Sequence, residues 1–425
     1  MATIFGQHDE NTILQLKRVE QSAERAALMA DGHVGYVMPI GGVAAYRNRV
    51  SVVGVGFDIA CGNAAIRTDR TVEQLSGLSL EELKRNPSRA WGNRKLGRIA
   101  DEIRSTVSFG IGRSNRADDA PVDDPLFESD AWSLVPRERG HRDALMAKAR
   151  EQLGTVGSGN HYVDVFYDDD GVIWVGVHFG SRGFGHTVAS SFLALSQGGR
   201  WGDRGAETEV LLPLDAPLGH DYWHLMELAG RYAYVGREWV ARKVVDLVGG
   251  TEQELVHNHH NFAWRETHDI GGQPTEVIVV RKGATPAFPG QKGFIGGSMA
   301  DDAVIVRGAV PPNEAPELSA LQRDALFSTV HGAGRVMSRT AAAGKRNRRT
   351  GKVISAGRVT PEMMESRLRK KGVVLRGGGL DESPQVYRRL NEVLEAQGPT
   401  IEVLHTLHPL IVVMAGPDVR DPYRD

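Results

Sequence analysis

The segment G-V-G-F-D-I-A-C-G (Gly54–Gly62) holds the only cysteine in 425 residues. No internal disulfide can form, so a chain of this length must fold on buried core alone. Packing, nucleophilic chemistry and metal ligation remain as uses for the thiol. Cys61 stands three residues after Asp58, among glycines that let the backbone turn tightly. Glycine is in excess elsewhere too, at 50 of 425 residues, against a usual ~7%. The excess clusters beside His, Asn, Ser and Asp, which points to backbone shaped around a ligand. The balance of 51 basic and 53 acidic residues excludes a global nucleic-acid charge signal and leaves only local patches. A single cysteine fits a reducing compartment. The start M-A-T-I-F-G-Q-H-D-E carries no basic segment followed by an apolar core, and no apolar run approaches the ~20 residues of a membrane span. The expectation is a soluble, cytoplasmic protein with no membrane association.

Apolar periodicity predicts a helix over 9–29, a glycine-rich loop over 31–46, and strands at 51–55 and 64–67 flanking the cysteine. Residues 112–140 read as a polar surface excursion, and 142–153 as a helix. Strands are expected at 161–167 and 172–178, joined by the turn D-D-D-G. Residues 220–248 read as one long helix or two short ones. Further strands are expected at 276–281 and 303–306, helices at 318–330 and 384–396, and a closing strand pair at 401–415. Strands and helices mix without a βαβ repeat, so the fold class is α+β, with mixed sheets and surrounding helices. No linker is visible, and residues 1–425 read as a single domain.

Asp58 and Cys61 form D-x-x-C, followed by His161 in G-S-G-N-H-Y, His178 in V-H-F-G-S-R-G and His260 in H-N-H-H-N-F. Carboxylate, thiolate and imidazole are all ligands for divalent transition metals, and a thiolate can bridge two ions. Each residue also has a structural use: the cysteine as a small hydrophobe, the aspartate as a turn cap, the histidines as satisfied polar groups. Ligand softness alone favours zinc, and spacing does not separate zinc from manganese, cobalt or iron.

His331 opens H-G-A-G-R, which ends at Arg335. An imidazole followed by glycines can attack phosphorus while backbone N–H groups hold phosphate oxygens, and an arginine can neutralise developing charge. The alternative is a histidine at a helix start before a flexible turn. R-K-G-A-T (Arg281–Thr285) and the run Gly296, Gly297, Ser298, Met299 are further anion-loop candidates, or ordinary loops. From Arg335 to Arg376 the chain carries a strong excess of Lys and Arg, opposed only by Glu362 and Glu365. This basic segment suggests contact with a polynucleotide backbone. No aromatic residue interleaves its core, Gly344–Lys352, which argues against base stacking there.

Together these motifs resemble the RtcB family of RNA ligases. The matching pieces run in order: D-G-H-V-G-Y-V-M-P-I-G-G-V from Asp31, the cysteine loop, G-T-V-G-S-G-N-H-Y from Gly154, H-F-G-S-R-G, H-H-N, R-K-G-A-T, G-S-M, H-G-A-G-R-V-M-S-R, and D-E-S-P-x-x-Y from Asp381. The resemblance implies an α+β fold around a deep metal-bearing cleft. It implies two manganese ions held by Asp58, Cys61, His161, His178 and His260, with Cys61 bridging. It also implies GTP as co-substrate, guanylylation of His331, and RNA partners bearing a 3′-phosphate or 2′,3′-cyclic phosphate and a 5′-hydroxyl. Asp31 and Arg335 join His331 as expected catalytic residues. Asn160, Asp164, His260, Asn261, Gly296, Gly297, Ser298, Met299 and His331–Gly332–Ala333–Gly334 are the expected nucleotide contacts. A protein activator is conceivable and not readable from the chain.

Three positions depart from the family pattern. Asp164 stands where glutamate is usual. Asp301, Asp302 and Ala303 follow G-S-M where a serine is common. Ile411–Gly416 reads I-V-V-M-A-G where a lysine usually meets the guanine base. A hydrogen bond to a charged group is worth about 1.5–3 kcal/mol, so guanine preference is expected to weaken. The competing functions are a metal-dependent phosphodiesterase or cyclic-phosphate hydrolase, and an RNA-binding factor without catalysis.

Overall fold

Alternating β-branched and aromatic residues make Tyr162–Asp168 and Val172–Phe179 an antiparallel hairpin. The Asp168 carboxylate closes its turn by accepting the N–H groups of Asp170 and Val172 at 3.0 and 2.9 Å. In this computed structural model, which describes residues 2–312, 315–346, 353–416 and 419, the hairpin lies inside an eight-stranded sheet. Its order is Lys292–Ile295, Ala303–Gly308, Ile401–Met414, Tyr162–Asp168, Val172–Phe179, Gly62–Thr71 and Glu252–His259, with Val374–Arg376 alongside Ile401–Met414. Only that last pairing is parallel.

The sheet curls until its two end strands approach. Asn258 spans the gap: its Nδ2 donates to Lys292 O at 3.1 Å and its Oδ1 accepts the Phe294 N–H at 3.3 Å. Asn63 Nδ2 adds a bond to Phe294 O at 2.9 Å. Phe166, Trp174, Phe294, Ile305 and Leu407 fill the enclosed space. A Cβ at Gly176 would stand 2.7 Å from the Phe166 ring and 2.9 Å from that of Phe294, so only glycine fits there. The helix Pro217–Leu247 covers the outer face, with Val240, Ala241 and Val244 against Ile66, Val175 and Val177.

A second, five-stranded sheet runs Thr3–Ile4, Arg25–His33, Ile40–Tyr46, Gln273–Lys282, Asn261–Ile270. Strands Glu252–His259 and Asn261–Ile270 belong to different sheets and are separated by one residue, His260. The fold is α+β, as expected. No helix of the described residues is long and apolar enough to cross a membrane.

Several local expectations are corrected. The first helix is Glu10–Glu20, capped by Asp9, and the rest of 9–29 enters strand Arg25–His33. The glycine-rich 31–46 stretch contributes strand Ile40–Tyr46. Residues 51–55 are one helical turn, Val52–Val55, capped by Ser51. The helix expected over 318–330 is Pro316–Asp324, followed by strand Ser328–Val330 paired with Ala284–Pro286. The late helix is Leu390–Gln397, after a short turn at Pro384–Val386. The closing pair is a single strand, Ile401–Met414, irregular between Pro409 and Ile411. The polar excursion is anchored, because Leu126, Phe127, Trp132 and Val135 are buried in the main core.

Candidate active site

Antiparallel register gathers residues that are distant in sequence. Gly62 lies opposite both Phe179 and His259, and Tyr162 lies opposite both His178 and Met414. Cys61, His161, His178 and His260 therefore meet at one end of the curled sheet, where the Asp58 turn joins them. Cys61 Sγ lies 3.2 Å from His178 Nε2 and 3.6 Å from His161 Nε2, and Asp58 Oδ2 lies 3.1 Å from His161 Nε2. Two groups could each hold an ion: Cys61, His178 and His260, and Asp58, Cys61 and His161. Cys61 belongs to both.

The surroundings prepare these atoms as ligands. His161 Nδ1 lies 2.9 Å from Val156 O, which orients the ring with Nε2 toward Asp58 and Cys61. Burial drives His178 and His260 well below the usual histidine range, so both rings are neutral. His260 Nδ1 is buried without a hydrogen-bond partner. Burial works against ionised Asp58, but the His161 hydrogen bond and charge and the Arg182 guanidinium outweigh it and hold the carboxyl at about 2. Burial, then the Asp58 charge, pushes the Cys61 thiol up. A divalent cation would reverse that preference. This donor set fits one or more transition-metal ions.

Backbone and helix fix the loop. Ala60 sits at φ +59, a left-handed conformation unusual for alanine, and its N–H donates to Asn261 O at 2.7 Å. The Cys61 carbonyl accepts the His260 N–H at 2.8 Å. Arg237, fully buried on the long helix, donates to Ala60 O and Phe179 O and bonds to His257 and His259.

His331 follows strand Ser328–Val330 at the cleft wall. Buried Asp31 places Oδ2 2.6 Å from His331 Nδ1 and accepts the N–H groups of His331 and Gly332 at 3.1 and 3.2 Å. Nε2 is left for the cleft, and the ring centroid lies 4.8 Å from that of His260. Gly334, at φ +74, must be glycine, since a Cβ would stand 2.3 Å from Asp31 O.

A cleft of about 270 Å³ collects the expected residues. Asp58, Cys61, Asn160, His161, Asp164, His178, His260, Asn261, Gly296–Met299 and His331–Arg335 all line it, while Asp31 stands behind His331. Asn261 Oδ1 accepts the Gly283 N–H at 2.8 Å. Ser298 Oγ donates to Asp301 Oδ2 at 2.8 Å, and Asp301 is held by Arg367 and Arg389. Burial raises the Asp164 carboxyl well above the usual range, and its Oδ1 has no partner. Arg335 is engaged: it donates to Glu382 and to Tyr387 Oη at 3.0 Å, and to Asp381 O at 2.7 Å. Arg339 lies 3.4 Å from the same Glu382.

Sequence reasoning assigned no role to His33, Arg339, Glu382 or Tyr387, all of which line the cleft. All four lie inside motifs that carry the family resemblance: His33 in the one from Asp31, Arg339 at the end of the one from His331, and Glu382 and Tyr387 in the one from Asp381. Arg237 carried no signal, because an arginine in an amphipathic helix reads as solvent-facing. Among the described residues of the basic segment, Arg367 is answered by Asp301, Lys371 by Asp302, Arg376 by Asp101 and Arg335 by Glu382. Most of its core, residues 347–352, lies outside the described residues.

A family model described as tRNA-splicing ligase RtcB matches residues 12–415. The tRNA-splicing ligase RtcB of Thermococcus kodakarensis is 30% identical, over 91% of this chain and 89% of its own length. That of Nanoarchaeum equitans is 31% identical, over 91% and 87%. The RNA-splicing ligase RtcB of Escherichia coli is 29% identical, over 91% and 89%. The chain belongs to the RtcB family of RNA ligases.

Proposed function

We propose that the chain is a GTP-dependent ligase joining RNA 3′-phosphate or 2′,3′-cyclic phosphate ends to 5′-hydroxyl ends. One observation carries the reading: Asp31 stands at His331 Nδ1, behind a cleft that also holds a ligand set sharing Cys61. Family membership supports RNA as the substrate. Residues 1–425 act as one catalytic domain, in the cytoplasm.

Asp58, Cys61, His161, His178 and His260 would hold two manganese ions, which polarise phosphoryl oxygens and offset negative charge. His331 Nε2 attacks the α-phosphorus of GTP; an N–P bond forms, and the bond to the pyrophosphate oxygen breaks. Asp31 keeps the proton on Nδ1 and stabilises the positive charge the ring gains. Asn160, Asn261, Ser298 and the Gly332–Gly334 loop hold the nucleotide. Arg335 and Arg339, both held by Glu382, line that wall and can face phosphate oxygens. An oxygen of the RNA 3′-phosphate then attacks the His331-bound phosphorus, takes GMP and frees the ring. The 5′-hydroxyl attacks the activated 3′-phosphorus, gives up its proton and expels GMP. A cyclic end is first hydrolysed to the 3′-phosphate.

The test is incubation with α-labelled GTP and manganese, without RNA. An acid-labile labelled band, absent from His331→Ala, is expected. Opening of cyclic ends to a terminal phosphate, with no label on metal-loaded protein, would replace ligation by hydrolysis.

A further inference from the structure

The loop between cleft-lining His33 and Ile40 carries Tyr36, whose ring is 56% exposed. Its edge meets Phe57 with centroids 6.2 Å apart and planes at 88°. Phe57 in turn faces His186, on helix Arg182–Ser196, at 5.8 Å and 34°. Phe57 and His186 are half-buried. The three rings form a row beside cleft-lining segments: Tyr36 lies between His33 and Ile40 in the chain, and Phe57 directly precedes Asp58. The loop is pinned: the Gln15 amide donates to Gly35 O at 2.7 Å and to Tyr36 O at 3.1 Å, and its oxygen accepts the Gly35 N–H at 3.0 Å. A ring so held loses little freedom on binding a partner.

Two exposed cations flank the row. The Lys148 stem lies over Gly183, one turn before His186, and Lys148 and Arg204 both act electrostatically on the His186 ring, which also feels the Asp58 carboxylate. Neither pairs with a carboxylate among the described residues. In the basic segment, by contrast, Arg335, Arg367, Lys371 and Arg376 are each paired with an acid. Aromatic faces beside unpaired cations are how proteins hold single-stranded nucleic acid without reading its sequence.

We infer that the row Tyr36–Phe57–His186 stacks an unpaired base of the RNA next to the junction, with Lys148 and Arg204 on the adjoining backbone phosphates. The inference rests on the reading of RNA as substrate and adds where the strand enters the cleft.

The experiment uses the full chain and single-stranded RNA carrying 2-aminopurine at the nucleotide beside the 3′-phosphate or, separately, beside the 5′-hydroxyl. Stacking should quench the fluorophore at one of the two ends. Tyr36→Ala should weaken binding of that RNA about tenfold, the loss of one stacking contact. Tyr36→Trp should retain both quenching and affinity, and His186→Ala, on a separate element, should weaken binding as well. Binding without quenching at either end, or unchanged affinity in both alanine variants, would overturn the inference. Tyr36-dependent self-association with no effect on RNA would overturn it too, in favour of a protein-binding surface. No catalysis is needed, so quenching in protein that takes no GTP label would refute the ligase reading and leave the platform standing.

Discussion

Cys61 lies in both ligand groups, so replacing its sulfur differs in kind from replacing one histidine. His161 belongs only to the group with Asp58, and His260 only to the group with His178. Cys61→Ser is expected to lose nearly all bound manganese, while His161→Ala keeps about one ion of two, each ion depending on its full ligand set. Elemental analysis after gel filtration counts the ions. A full complement in Cys61→Ser would remove the shared-ligand arrangement. These candidate ligands were legible in the sequence because few residue types bind metals and each stood at a turn among small residues. Arg237 was not legible: its partners are the carbonyls of Ala60 and Phe179 and two imidazoles, which only the folded sheet brings to the helix.

At the level of elements, His408 joins two loops. Its Nδ1 lies 3.1 Å from Asp302 Oδ1, beside the Ser298 loop, and its Nε2 lies 3.0 Å from Asp169 Oδ1, in the hairpin turn. Burial alone would lower the His408 pKa, but the hydrogen bonds and charges of the two aspartates raise it above the ordinary value. Burial likewise opposes ionised Asp302, yet the His408 bond and the Lys371 charge hold it below the ordinary range. A raised histidine contributes stability that is full below about pH 6.5 and is lost as pH rises through its folded value. A depressed carboxyl contributes above about pH 4 and loses that contribution as pH falls. The strut is therefore strongest between those limits. Urea unfolding should find the wild type more stable than His408→Gln by up to about 1 kcal/mol near pH 6, the scale of a part-exposed pair. That difference should shrink as pH rises above about 6.5, and a difference independent of pH would exclude the strut. Elements were less legible than motifs. Arg25–His33 is rich in alanine, a helix former, yet lies almost wholly buried between neighbouring strands, where packing overrides propensity. Val52–Val55 has a strand-like composition but follows Ser51, whose hydroxyl caps a helical turn by accepting the Gly54 N–H.

On the scale of the molecule, the cleft is assembled from both ends of the chain. Asp31 comes from the second strand, and Val412 and Met414 from the last. The last strand lies inside the large sheet, paired with Tyr162–Asp168, Ala303–Gly308 and Val374–Arg376, so its end is fixed beside Tyr162, next to His161. It presents apolar side chains where the family pattern leads one to expect a lysine, a charged donor for guanine. On the proposed reading a bound base meets Val412 and Met414 there, hydrocarbon that holds any purine by contact and distinguishes none by hydrogen bonding. Labelling of His331 by α-labelled ATP is accordingly expected within about tenfold of that by GTP, since a charged hydrogen bond worth about 1.5–3 kcal/mol is missing. Single-turnover labelling with each nucleotide in turn measures the ratio. A preference for GTP far above a hundredfold would assign base choice to the polar groups beside this strand, Asp164, the cross-strand partner of Val412, and Ser298.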